Sequence, residues 1–169
     1  EFNVSVGDYF VDPMIVTYGE MDRDSLASDA IELPKSSRLR TPLEQVIARR
    51  RSRRNYTGEA LDLRDVATLL RGSVGVTGHM EVPRASGDTV RYNLRAVPSG
   101  GGLYPVSLFM AVLRVDGLDR GVYRYAPLLD RLVPVAGERG CQDVRSALAG
   151  DLAVEQSDAA GAHLVFVIS

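Results

Sequence analysis

Pro98-Ser99-Gly100-Gly101-Gly102-Leu103-Tyr104-Pro105 runs without a break into Val106-Ser107-Leu108-Phe109-Met110-Ala111-Val112-Leu113. Three glycines between two prolines give a backbone that takes unusual dihedrals and approaches a flat ligand with no Cβ in the way. The apolar run behind them reads as a strand over 107–115, buried on both faces. The bland alternative is a flexible loop, yet flexible linkers seldom pass directly into Leu-Tyr-Pro and a core strand. The glycines precede a strand instead of following one, and no Gly-Lys-Ser/Thr is present. That excludes the dinucleotide fingerprint and the nucleoside-triphosphate phosphate loop.

Working upstream, 79–105 is irregular apart from a short strand around Val90–Val97. A helix begins near Asp62 and turns Leu63, Val66, Leu69, Leu70 and Ser73 inward, with Gly72, Gly75 and Gly78 punctuating its end. An earlier helix starts at Thr41 as N-cap, with Pro42 at the first helical position and Glu44 completing a capping box. Its Leu43, Val46, Ile47 and Arg50 share one face, apolar until the last turn. Residues 1–40 hold no sustained period and read as an extended arm with one or two short elements, ending in the Leu33–Ser37 linker; a disordered tail is the competing reading. Downstream, Asp116-Gly117 is a turn, Gly121–Tyr125 a hairpin strand, and Arg131–Val135 an edge strand because Pro134 cannot donate to a central ladder. Cys141, Val144 and Leu148 mark a helix, 151–158 another, and Ala162–Ser169 a second fully buried strand. The order of elements is α+β, an antiparallel-rich mixed sheet flanked by helices.

Composition sets the outer bounds. The 169 residues suit one domain of roughly 150, divided as an arm over 1–40 and a domain over 41–169. Net charge is −2, which argues against a nucleic-acid coat. No apolar run reaches the ~18 residues of a membrane helix. One cysteine excludes an intrachain disulfide, and two histidines leave no Cys/His zinc site. The expectation is a cytoplasmic domain with no metal. His79, His163 and Cys141 are read as structural residues, as are Tyr123 and Tyr125.

Charge is unevenly spread. Residues 41–54 set Glu44 against five arginines, whereas 1–40 carry eight acids and four bases. The arginines cluster in Arg50-Arg51-Ser52-Arg53-Arg54-Asn55-Tyr56. Guanidinium groups give bidentate hydrogen bonds to phosphate, and a serine hydroxyl adds a short donor. Arg50, Ser52 and Arg54 alternate past the helix end and can converge while Arg53 faces water. A solvated charge run is the alternative, and the segment alone favours a small phosphate ligand only by a little.

Taken together, the Arg-Arg-Ser-x-Arg-x-aromatic helix end, the Asp-Leu-Arg-Asp-Val-Ala-Thr-Leu-Leu helix and Pro-Ser-Gly-Gly-Gly-Leu-Tyr-Pro before an apolar strand resemble the nitroreductase superfamily. Asp116–Tyr125 fits the Gly-Leu-x-x-Gly-x-Tyr-x-Tyr pattern of its SagB/McbC-type azoline dehydrogenases and the related oxidase domains of nonribosomal peptide synthetases. The resemblance covers about 41–169. It implies a nitroreductase-like α+β fold and an FMN-dependent oxidoreductase, with FMN at a dimer interface. On that resemblance Arg50, Arg51, Ser52 and Arg54 would hold the FMN phosphate and the polar edge of the ring. Pro98, Ser99, Gly100 and Gly102 would line the isoalloxazine, reaching across from a partner subunit. The expected reaction oxidises peptide thiazoline or oxazoline rings to thiazole or oxazole in natural-product biosynthesis.

In the azoline dehydrogenases a Lys-Tyr pair associated with proton removal lies downstream of the strand that ends this sequence, and Lys35 matches nothing in the pattern. No catalytic base is therefore assigned. The expectation is a chain incomplete at its C-terminal end, split, cleaved or truncated, and completed as a homodimer or by a second polypeptide. Two other readings stand beside it: a general NAD(P)H-dependent nitro- or quinone-reductase, and a non-catalytic partner subunit that kept the fold. The phosphate-site reading predicts that Ser52→Ala combined with Arg54→Ala strips bound flavin while leaving the protein soluble. Full flavin retention by that double variant would refute it.

Overall fold

A computed structural model describes residues 28–52, 57–83, 87–99, 102, 104–151 and 162–169. Its centre is a five-stranded sheet. The strands are β1 (Ile31–Glu32), β5 (Leu108–Val112), β7 (Gly121–Ala126), β8 (Arg131–Ala136) and β9 (Leu164–Ile168), in the order β1-β8-β7-β5-β9 with every pairing antiparallel. Strand β2 (Leu61–Asp62) lies parallel to β6 (Val115–Asp116), and β3 (Val76–Pro83) pairs with β4 (Thr89–Arg95) as a separate hairpin. Three helices complete the described chain: α1 (Leu43–Arg49), α2 (Leu63–Val74) and α3 (Glu138–Asp151). The architecture is α+β, as the order of elements implied.

Strand alternation places Met110 and Val112 of β5, Tyr123 and Tyr125 of β7 and Leu132 of β8 on one sheet face. Val66 and Leu70 of α2 seal that face, and all of these side chains are buried in one cluster. Helix α2 starts where Asp62 caps it, its carboxylate accepting the Arg64 N–H at 2.7 Å. The inward side is Val66, Ala67 and Leu70. Leu69 is 57% exposed and Ser73 also faces out, so the expected apolar stripe is rotated by part of a turn. Helix α3 meets the sheet closely at Gly140, where a Cβ would stand 2.7 Å from the Ala136 Cβ. Cys141 is buried, its thiol lying 2.8 Å from the Gly121 carbonyl and 3.2 Å from that of Val112.

Four expectations need correction. Residues 79–83, the start of the stretch expected to be irregular, belong to strand β3. Helix α1 begins one residue late, with Pro42 in extended conformation (ψ 140°) as the capping residue and its carbonyl accepting from Gln45 and Val46. Strand β8 is covered on its outer side by the arm, but only at Arg131 and Leu132, so Pro134 still falls where no ladder donor is required. Strand β9 is terminal in the sheet, not fully buried, and Ile168 is 72% exposed. The expected helix over 151–158 lies almost wholly outside the described residues. Among those residues no helix is long and apolar enough to cross a membrane, and no group of His, Cys, Asp and Glu is arranged to hold a metal.

One guanidinium ties the Leu33–Ser36 stretch of the arm to the body. Arg71, on the last turn of α2, donates from Nε and Nη2 to the Asp130 carboxylate at 2.6–3.0 Å. Its Nη1 reaches the Pro34 carbonyl at 2.6 Å and the Ser36 hydroxyl at 2.8 Å. Asp130 sits in the β7–β8 turn at φ 54°, a conformation Asp tolerates better than most residues. It also accepts from the Tyr125 hydroxyl at 2.9 Å. Burial, then the Asp130 charge, holds the Tyr125 phenol well above its ordinary value of 10.0, and burial shifts Tyr123 the same way. The sign follows by linkage. The stabilising contribution is complete below pH 10 and is lost as pH climbs toward the folded-state value, because only the unfolded chain sheds those protons. Denaturant titrations should therefore show stability falling above about pH 10, with Tyr125→Phe giving a shallower fall. An identical slope in the variant would contradict this assignment.

Candidate functional site

The first motif sits where α1 ends. Arg49 lies in the last turn, where a cation complements the exposed carbonyls. Arg51 folds back, donating from Nη1 to the Ala48 carbonyl at 3.0 Å and to that of Arg50 at 2.7 Å. One of its nitrogens is thus spent on the helix terminus. Arg50 and Ser52 are exposed, and Arg54 lies outside the described residues. The apolar face of α1 is exposed: Leu43 is 73% and Ile47 67% exposed, and the helix has no buried residue.

The second motif is built differently. Past β4 the chain turns through Pro98 and Ser99, and Ser99 bonds to two residues further on, Gly102 and Tyr104. Its carbonyl accepts the Gly102 N–H at 3.0 Å and its hydroxyl accepts the Tyr104 N–H at 2.9 Å. Gly102 holds φ 65°, which glycine takes at no steric cost, while Tyr104 holds φ 45°, which a bulky side chain rarely does. Gly100 lies outside the described residues.

Two cavities flank this loop. One, of about 240 Å³, has mostly apolar walls drawn from α2 (Val74), β5 (Leu108), the 97–99 segment and the β7–β8 turn (Pro127), with Tyr125 and Arg95 adding polar atoms. The other, of about 360 Å³, opens toward the hairpin at Met80, Tyr92 and Leu94. Pro98, Ser99, Arg95 and Tyr104 border both, and Gly102 borders the second. The structure thus brings Pro98, Ser99 and Gly102 together at cavity walls. Arg50, Arg51 and Ser52 line neither cavity.

Sequence reasoning assigned no role to Arg95, which is 9% exposed and stacks 4.5 Å from the Tyr104 ring centroid. A lone arginine three residues before Pro-Ser was the only signal. Of the histidines, His79 lies on β3 with Nδ1 2.9 Å from Arg91 Nη2, and the His163 carbonyl accepts from Leu113 and Arg114.

No protein-family model matches the chain. Over 139 residues it is 31% identical to the protein called Putative nitroreductase MJ1384 of Methanocaldococcus jannaschii, a match covering 82% of this chain and 61% of the relative. The chain spans about three fifths (61%) of the length of that curated relative. Two solved structures, each 19% identical, align less closely. One, described as a putative nitroreductase from Anabaena variabilis, covers 90% of this chain and 31% of its own, with a TM-score of 0.44. The other is from the E. coli microcin synthetase McbBCD complex with truncated pro-MccB17 bound, covering 99% and 71%, with a TM-score of 0.45.

The Ser99 hydroxyl is a structural acceptor before it is anything else. Ser99→Ala should lower unfolding free energy by about 1 kcal/mol, the usual worth of one partly buried hydrogen bond. A denaturant melt checks this, and an unchanged midpoint would show that the Tyr104 N–H is satisfied without Ser99.

Proposed function

We propose that this chain is part of an FMN-dependent oxidoreductase that oxidises peptide thiazoline or oxazoline rings to thiazole or oxazole. The observation that carries the reading is the loop 98–104. It joins glycine-permitted backbone, two adjoining cavities and a buried guanidinium at one place, beside a separate arginine-rich helix end. The donor chemistry fits FMN in two parts. Arg50, Arg51, Ser52 and Arg54 suit a phosphate, while Pro98, Ser99, Gly100 and Gly102 suit the face and polar edge of a flat ring.

When bound, FMN supplies a two-electron acceptor, and the protein's task is to hold and orient. Apolar walls at Val74, Leu108 and Pro127 would exclude water from the ring's edge. Arg95 places positive charge at the same wall, favouring an electron-rich edge there. Since Arg50, Arg51 and Ser52 line neither cavity, we assign the two motifs of one site to two chains. The exposed apolar face of α1, immediately before the arginines, supports a homodimer or a complementing chain covering it. The peptide substrate would enter from the side left open by the loop.

The relative's name favours a second reading, an NAD(P)H-dependent nitro- or quinone-reductase on the same fold. One experiment separates them. Full-length protein is purified with its native flavin and mixed anaerobically with an azoline-containing peptide or with NADPH. Loss of flavin absorbance with the peptide alone is the expected result. Loss with NADPH alone would replace this reading by the reductase, and colourless protein would remove both in favour of a non-catalytic partner.

A further inference from the structure

We propose that Tyr104 and Arg95 are positioning residues that hold Ser99, Gly102 and the Tyr104 backbone in their receptive arrangement before any ligand arrives. The inference rests on reading those residues as part of the ring-binding cradle. Tyr104 holds φ 45°, a conformation that a bulky residue keeps only where its surroundings over-determine it. Two hydrogen bonds and a ring stack do so here. Below, the Tyr104 N–H is bonded to the Ser99 hydroxyl; at the far end of the ring, the Tyr104 hydroxyl accepts the Arg95 N–H at 3.2 Å. The Arg95 guanidinium then covers the ring face at 4.5 Å, a cation–π stack removed from solvent, since both residues are 9% exposed.

The geometry makes one brace out of two chain segments. Arg95 is the last residue of β4, so Tyr104 is tied to a strand end, while Ser99 is tied to Gly102 and Tyr104 from inside the loop. A loop of consecutive glycines has many conformations to lose on binding, and a brace at its exit removes that cost in advance. Tyr104 and Arg95 also border both cavities, so the brace is the partition between them. Neither residue needs to touch reacting atoms for this role.

The test compares wild type with Tyr104→Phe, which keeps the ring and the stack but removes the hydroxyl, and with Tyr104→Gly, which relieves the backbone conformation and removes the ring. Three readouts are taken on full-length protein: the melting temperature, amide hydrogen exchange at Gly102 and Tyr104 without ligand, and the FMN dissociation constant. For Tyr104→Phe we expect little change in melting, about tenfold faster exchange at those two amides and about tenfold weaker FMN binding. Tyr104→Gly should exceed it in exchange and in lost affinity. Unchanged exchange would overturn the brace, and faster exchange with unchanged FMN affinity would overturn its link to the ligand. If wild type binds no FMN, the flavin reading fails separately, and the exchange result alone decides whether the brace exists.

Discussion

Much of this structure hangs on the fork between Arg71 and Asp130. Three elements distant in sequence meet there: the end of α2, the β7–β8 turn and the arm at Leu33–Ser36. The pair is only partly exposed, so its hydrogen bonds are less screened than those of a surface bridge, and its two-pronged geometry specifies orientation as well as distance. Tyr125 adds a third ligand to the same carboxylate from the core side. The consequence reaches the candidate site. Val74 follows Arg71 by one turn, Pro127 opens the Asp130 turn, and Tyr125 is hydrogen-bonded to Asp130; all three wall the smaller cavity. The fork therefore fixes the spacing of the walls a ligand would meet.

The loop on the other side of that cavity is organised by local bonds instead. Ser99 and the Arg95–Tyr104 stack shape it, and none of those interactions requires the sheet to be complete. Site and scaffold thus depend on different physics: a charged fork for the walls, a strained and braced backbone for the partition. The arginine-rich end of α1 shares neither. Its helix leaves Leu43 and Ile47 in solvent, a state that a chain copy or partner would relieve on the proposed reading.

Where the pattern of residues has a local cause, the sequence was readable. Asp62 caps α2 because a short carboxylate reaches back to an N–H two residues on. The apolar run at Leu108–Val112 lies inside the sheet between β7 and β9, and α2 seals the face that carries Met110 and Val112. Cys141 is core, as its apolar helical face implied. Elsewhere the cause is tertiary. Strand β3 was invisible because its hairpin stands apart from the main sheet, so Val76, Met80 and Leu94 stay partly exposed and leave no alternation to detect; a register irregularity between Val76 and Gly78 blurs it further. β9 looked buried by composition, yet it lies at the end of the strand order. The candidate site divides the same way. The glycines, Pro98 and Ser99 announce an unusual loop, but the positive φ of Tyr104 and its stack on Arg95 depend on bonds that no spacing encodes.

The claim that most needs a direct test is that one flavin site takes its phosphate donors from one chain and its glycine loop from another. Two inactive variants decide it: Ser52→Ala with Arg54→Ala, and Gly102→Val, whose side chain cannot accept the left-handed backbone. Each is purified without flavin, the two are mixed and allowed to exchange subunits, and bound FMN is measured. A shared site predicts that mixing restores flavin to about one per four chains, because half of randomly paired dimers then carry one intact site. No recovery on mixing, with exchange of subunits verified, would place both motifs of each site on a single chain and contradict the account.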